Sequence, residues 1–234
     1  MLSSALWKSE PEACCFGSDM EPKKISEIAL PCRSDSGKFA IVVENAFSKE
    51  ECDRMVRETE SKGYEAAKLN IGDGQEFLDT DIRKGSRCIV DSPEQAAEIW
   101  NRVKDCVPAV WNHRGTSWEA VGLNERLRFL RYSPGDFFIS HCDSSFEREN
   151  KERSFITLIL YLNGGFYGGD TTFNDIETDA TISVKPKTGS VLIFEHDIFH
   201  SGAKVDNGLK YAMRSDVMFR QQWKEPHGTA DSNH

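Results

Sequence analysis

The chain has 234 residues, enough for one domain with a full core and few for two well-buried ones. Its 38 Asp and Glu outnumber 29 Lys and Arg, and the resulting net charge of −9 argues against DNA or RNA as a partner. Seven cysteines (14, 15, 32, 52, 88, 106 and 142), odd in number and without a C-x-x-C pair, suit reduced thiols rather than a disulfide framework or a zinc knuckle.

Residues 1–37 mix Pro, Ser, Lys and Glu without periodicity and are expected to form a poorly ordered extension. Acidic residues and a proline arrive within about ten residues, too early for the apolar stretch of a signal peptide. No later run reaches the length of a membrane span, so a cytoplasmic or nuclear protein that contacts no membrane is expected.

A single domain is expected over 38–220, its first part (38–122) as helical support. Ser48-Lys49-Glu50-Glu51 is a capping box, with the Ser48 hydroxyl and the Glu51 carboxylate each accepting from the other's backbone N–H. It predicts a helix to about Lys62, with Cys52, Met55 and Val56 inward and Gly63 as its stop. Ser92-Pro93-Glu94-Gln95 opens a second helix, in which Ala96, Ile99, Trp100, Val103 and Val107 recur at helical spacing.

From Leu123 the texture changes to short β-prone runs: LRFLRY, FFISH, SFITLILYL, TTF, TISV, SVLIFE, the stretch around His200, and LKYAMRSDVMF. Turn segments rich in Pro, Gly and Asn separate them. The predicted class is mainly β with flanking helices, a sandwich or barrel over 123–220, followed by a flexible tail at 221–234.

His141 and Asp143 lie two apart at the end of FFISH. In a strand they share a face, about 6.6 Å apart at ~3.3 Å per residue, so both can ligate one ion while Cys142 points away. A third donor must come from elsewhere, and His196 and His200 flank another strand-like run. Two histidines and a carboxylate leave three positions of an octahedral ion open, as in non-haem Fe(II) oxygenases. Spacing alone leaves both distal histidines open. VDNG at 205–208 reads as a hairpin turn that would set His200 opposite Arg214 and put Lys210, Ala212 and Arg214 on one face. Inward cations would call for an anion between them.

The blocks RFLRYSPGDFFISHCD, SFITLILYLNGGFYGGDTTF, VKPKTGSVLIFEHDIFHSG and GLKYAMRSDVMF resemble, in order, those of the prolyl 4-hydroxylase-like Fe(II)/2-oxoglutarate dioxygenases. The resemblance implies a double-stranded β-helix, or jelly roll, with helices on one side. It implies that His141, Asp143 and His200 bind Fe(II), and that Lys210 binds the distal carboxylate of 2-oxoglutarate, with Tyr132 and Tyr161 lining that pocket. His196 then drops out, because the spacing from His200 to Lys210 matches the family. Asp170 in YGGD stands where the family more often has Glu.

Arg214 and, more weakly, Arg128 are expected to hold a substrate carboxylate or to orient the groups around the metal, with a solvated salt bridge as the plainer role of Arg128. The reaction implied is hydroxylation of an unactivated C–H bond by dioxygen, with 2-oxoglutarate converted to succinate and ascorbate an optional further cofactor. Asp143 denies a halide its place on the metal, which sets halogenation aside. A prolyl side chain in a peptide is the first expected substrate, and a free amino acid or other small metabolite the second, with desaturation or cyclisation as other outcomes. The rival from another class is a jelly-roll metal-binding module without oxygenase chemistry, which would need no inward lysine.

Overall fold

The computed structural model describes residues 21–70 and 75–222, so the expectations for 1–20 and 223–234 fall outside the described residues. The strands and helices that position the site are β1 (Lys24–Glu27), β2 (Ala40–Glu44), α1 (Lys49–Lys62), β3 (Ser86–Asp91), α2 (Pro93–Val103), β4 (Thr116–Leu123) and β5 (Arg126–Tyr132) in the first part. They continue with β6 (Phe137–His141), β7 (Arg153–Tyr161), β8 (Thr171–Asn174), β9 (Thr181–Val184), β10 (Val191–Glu195), β11 (His200–Gly202) and β12 (Lys210–Gln221).

Two antiparallel sheets face one another, as in a jelly roll. The larger runs β1-β2-β10-β7-β12-β5-β3 and ends on the short strand Glu65–Ala66, while β4 pairs with the far half of β12 and carries Val110–His113. The smaller runs β9-β8-β11-β6 and ends on Arg83–Lys84. All eight strands read from the sequence after Leu123 are present.

Alternation along β12 divides the interior in two. Met213 and Val217 face the helices, joining Leu158, Leu160, Ile99, Val103 and Cys52 in the larger core. Ala212 faces the smaller sheet, where it packs with Tyr161, Phe173, Leu192 and Phe194. Lys210, Arg214 and Asp216 share this inner face, so the strand that closes the core also delivers charge into the space between the sheets.

The first helix starts on the expected capping box, Glu51 N–H to Ser48 Oγ at 3.2 Å and Ser48 N–H to Glu51 Oε2 at 2.7 Å, and stops at Gly63. The second is capped by Ser92 Oγ, which accepts from Gln95 N–H. The pair buttresses the outer face of the larger sheet, with Cys52, Ala96, Ile99 and Val103 in its core.

Two expectations are corrected. Residues 21–37 are not all loose: β1 pairs with β2 from Lys24↔Glu44 to Glu27↔Ile41. Nor is 38–122 only helical support, since β2, β3 and β4 extend the larger sheet at its edges. Their apolar runs are short, and packing against the long central strands selects the extended form.

Candidate metal and cosubstrate site

β6 ends at His141 and β11 begins at His200, and the two residues are paired in register. Ordinary antiparallel pairing thus brings the imidazoles together, ring centroids 4.4 Å apart. Each Nδ1 faces the carbonyl two residues back: Ile139 O at 2.8 Å for His141 and Ile198 O at 2.9 Å for His200. A carbonyl can only accept, so each Nδ1 carries the proton and each Nε2 keeps its lone pair.

Both Nε2 atoms face Asp143, at 3.8 Å from Oδ1 for His141 and 3.8 Å from Oδ2 for His200. Asp143 lies just past the end of β6, where its N–H donates to His196 O at 2.8 Å. One donor atom from each of the three residues fits within a 4.8 Å cluster. Cys142 turns away and is exposed, as alternation requires.

The ionisation states suit a divalent cation. Burial, aided by neighbouring His200, lowers the pKa of His141 to about 4, and burial also lowers that of His200. Burial would raise Asp143, but the Arg214 guanidinium, then His200, His196 and His141, outweigh it and hold the carboxyl well below the usual range. Two neutral imidazoles and one carboxylate therefore converge at neutral pH, the donor set expected for Fe(II).

A second layer fixes the carboxylate. The Thr157 hydroxyl donates to Asp143 Oδ2 at 2.5 Å, so at 2.8 Å from His196 Nδ1 it can only accept a proton from that ring. His196 Nε2 then accepts from Ser154 Oγ at 2.9 Å. His196 is thus no part of the donor cluster but supports it through Thr157. On the other side Arg214 Nη2 lies 2.9 Å from Asp143 Oδ1 and 3.1 Å from Asp216 Oδ1, while Arg128 Nη1 lies 3.3 Å from Asp216 Oδ2.

Arg214 comes close to the cluster by a route other than the expected hairpin. β11 pairs with β6 and β8, not with β12, and Val205–Asn207 pairs with Tyr167–Gly168. In β12 Arg214 stands opposite Arg128 and Ile159, and it reaches Asp143 across the gap between the sheets. A jelly roll sends successive strands to opposite sheets, so a turn sequence need not join paired neighbours. The Arg128–Asp216 pair is likewise no solvated salt bridge, because Asp216 is buried.

Lys210 opens β12 and is buried. Its Nζ donates to Gly169 O at 2.6 Å and lies 5.5 Å and 5.7 Å from the ring centroids of Tyr132 and Tyr161. Tyr132 is its register partner on β5, and Tyr161 pairs with Ala212 on the other side. Tyr161, fully buried, donates its hydroxyl to Thr171 Oγ1 at 2.7 Å. Among the described residues no carboxylate pairs with Lys210, and burial lowers its pKa to about 8 against the opposing pull of Asp170. A buried ammonium between two aromatic walls fits the far carboxylate of a dicarboxylate.

Gly169 makes this approach feasible. Its φ is +71°, and a Cβ there would lie 3.0 Å from Val205 Cγ2 and 3.3 Å from Lys210 Cδ. Thr157 carries no signal of its role in the sequence, being one polar residue inside an apolar strand.

Residues 127–215 match the 2OG-Fe(II) oxygenase superfamily. Three solved structures share the fold. A prolyl-4-hydroxylase from Pseudomonas putida aligns with a TM-score of 0.56 at 13% identity, over 80% of this chain and 96% of that one. A prolyl hydroxylase from Trichoplax adhaerens, in complex with a hypoxia inducible factor peptide fragment, gives 0.58 at 14%, over 79% and 85%. An oxidoreductase of the 2OG-Fe(II) oxygenase family from Burkholderia pseudomallei gives 0.50 at 13%, over 76% and 84%. No curated protein sequence matches. The family match across the β core agrees with the jelly roll around it: residues 127–215 are similar to the 2OG-Fe(II) oxygenase superfamily, and the chain shares the fold of the solved prolyl hydroxylases.

Proposed function

We propose that His141, Asp143 and His200 hold the Fe(II), that Lys210 grips the far carboxylate of 2-oxoglutarate between Tyr132 and Tyr161, and that the enzyme hydroxylates an unactivated C–H bond. When bound, iron and cosubstrate would supply the oxidising chemistry, in which one atom of dioxygen ends in succinate, as 2-oxoglutarate loses carbon dioxide, and the other in the hydroxyl of the product. The chain's own residues orient the groups. The two backbone carbonyls fix the imidazole tautomers, and Thr157 and Arg214 fix the carboxylate.

The observation that carries this reading is Lys210, buried, without an acidic partner among the described residues, on the same face of β12 as Arg214 four residues away. A passive metal-binding module has no use for such a cation. Arg214 and Arg128 are already matched by Asp143 and Asp216, which favours a positioning role for them over substrate binding. The catalytic unit runs from about Lys24 to Gln221. Among the described residues no helix is long and apolar enough to cross a membrane. We place the enzyme in the cytoplasm or nucleus.

For the substrate, the resemblance to prolyl hydroxylases, one of them solved with a peptide fragment, favours a prolyl side chain. A free amino acid or other small metabolite is the second reading, favoured by an unmatched arginine at the site described below. The test is anaerobic addition of Fe(II) and 2-oxoglutarate to the purified chain. A weak visible charge-transfer band is expected, followed by succinate when oxygen is admitted; a folded protein that gives neither is not an oxygenase.

A further inference from the structure

Arg83 sits on the short strand Arg83–Lys84, which pairs with Phe137 and Phe138 at the edge of the smaller sheet. Its guanidinium lies 4.7 Å over the Phe138 ring, and Phe138 in turn stacks on His141 with centroids 3.7 Å apart. Its Nη2 makes a long contact of 3.5 Å to the Tyr132 hydroxyl, and the Tyr132 ring faces Lys210. Arg83 is therefore joined through one aromatic ring to the metal donors and through another to the cosubstrate lysine.

Its charge is not matched. Arg128 and Arg214 meet Asp216 and Asp143, and neighbouring Lys84 meets Asp136 at 3.7 Å, but among the described residues no carboxylate pairs with Arg83. Its Nε is shielded from solvent and has no hydrogen-bond partner. Leaving such a donor unmet is unfavourable, more so for a charged group. The face of the guanidinium is used on Phe138, which leaves the edge, the part that binds a carboxylate through two parallel N–H donors. The far carboxylate of the cosubstrate is provided for by Lys210, so an anion at Arg83 comes from elsewhere.

We propose that Arg83 receives a carboxylate of the prime substrate, placing it beside the metal, and that this enzyme acts on carboxylate-bearing molecules. The proposal rests on the oxygenase reading above. The carboxylate belongs either to a free amino acid or small acid, or to an acidic residue or C-terminus of a peptide.

The test compares wild type with Arg83→Gln and Arg83→Lys. The probes are free L-amino acids and their amides, and proline-containing peptides with Asp, Asn or an amidated end near the proline. Two quantities are read: 2-oxoglutarate-dependent succinate formation stimulated by each probe, and anaerobic calorimetric binding with Mn(II) in place of iron. Wild type is expected to favour an acid over its amide roughly tenfold or more, as a charged hydrogen-bonded pair implies. The preference should collapse toward unity in Arg83→Gln and be partly kept in Arg83→Lys. Free amino acids or peptides giving that preference identifies the source of the carboxylate. An acid-to-amide preference that survives Arg83→Gln, a wild type that binds no acidic probe, or a loss confined to 2-oxoglutarate affinity overturns the assignment. A wild type that makes no succinate and shows no charge-transfer band overturns the oxygenase reading beneath it.

Discussion

Arg214 Nη2 lies 2.9 Å from Asp143 Oδ1, and this contact joins the central strand of the larger sheet to the candidate metal donors around the end of β6. The guanidinium sits between two acids, Asp143 and Asp216, whose attraction outweighs the burial that opposes it and holds its pKa above the usual arginine range. Removing one member of a buried charge cluster leaves the others uncompensated, at a cost of about 3–5 kcal/mol. Arg214→Leu is expected to lose stability on that scale in urea unfolding. Arg214→Lys should lose less, and its affinity for Co(II), followed by visible absorption, should fall about 10- to 100-fold, as for other residues that orient a metal ligand. A lysine variant that binds Co(II) as tightly as wild type would show that Asp143 needs no such clamp.

Thr157 controls the other carboxylate oxygen. Thr157→Val keeps the shape but removes the donor to Asp143 Oδ2 and strands the His196 Nδ1–H that Thr157 accepts. The stranded donor should cost about 1–3 kcal/mol. Thr157→Ser, which restores the hydroxyl, should recover most of the metal affinity. Co(II) titration of both variants checks this, since a merely packing role would make valine the milder change.

Much of this was legible because local chemistry and fold agree. Ser48 and Glu51 announce a helix whose cap closes as written, and the apolar runs after Leu123 have nowhere to go but into paired strands. His141 and Asp143 could be paired on spacing alone, but the choice of His200 over His196 came from family resemblance. The structure supplies its physical reason: β11 registers His200 against His141, while His196, just past the end of β10, is drawn into the Thr157 and Ser154 hydroxyls. The illegible parts depend on contacts between sheets. The turn at 205–208 looks like a hairpin because its residues favour a turn, yet the pairing of its flanks is decided by which sheet each strand joins. Arg83 carries no local signal, since its significance comes from Phe138 and Tyr132 on other strands.

The pH dependence of cosubstrate binding should report Lys210. Its pKa in the folded chain, about 8, lies below the ordinary lysine value of 10.5, so burial penalises the charged form. The penalty is fully present below pH 8 and is relieved as the pH rises toward 10.5. The cosubstrate-free protein should therefore gain up to about 3 kcal/mol from this group over that window, at ~1.4 kcal/mol per pH unit. Affinity for 2-oxoglutarate should run the other way, weakening above pH 8 as the ammonium is lost. Lys210→Met is expected to raise the thermal midpoint of the free protein while weakening 2-oxoglutarate binding at neutral pH roughly 10- to 100-fold. Melting curves with and without 2-oxoglutarate from pH 7 to 10 test both halves, and a variant that is both less stable and unaltered in cosubstrate affinity would remove Lys210 from the pocket.

Gly169 offers a way to disturb the lysine without removing its charge. A Cβ at this residue would lie 3.0 Å from Val205 Cγ2, 3.1 Å from Phe166 Cε2 and 3.3 Å from Lys210 Cδ, and at φ +71° the backbone itself disfavours a side chain by about 1–2 kcal/mol. The Gly169 carbonyl that accepts from Lys210 Nζ would have to move with it. Gly169→Ala should therefore weaken 2-oxoglutarate binding at least severalfold while the His141, Asp143 and His200 cluster, on other segments of the chain, keeps its affinity for Co(II). Calorimetry with 2-oxoglutarate and metal titration on the same preparation separate the two. A loss of metal affinity as large as the loss of cosubstrate affinity would mean that the two sites are one mechanical unit, and that the glycine sets the spacing between the sheets rather than the seat of one lysine.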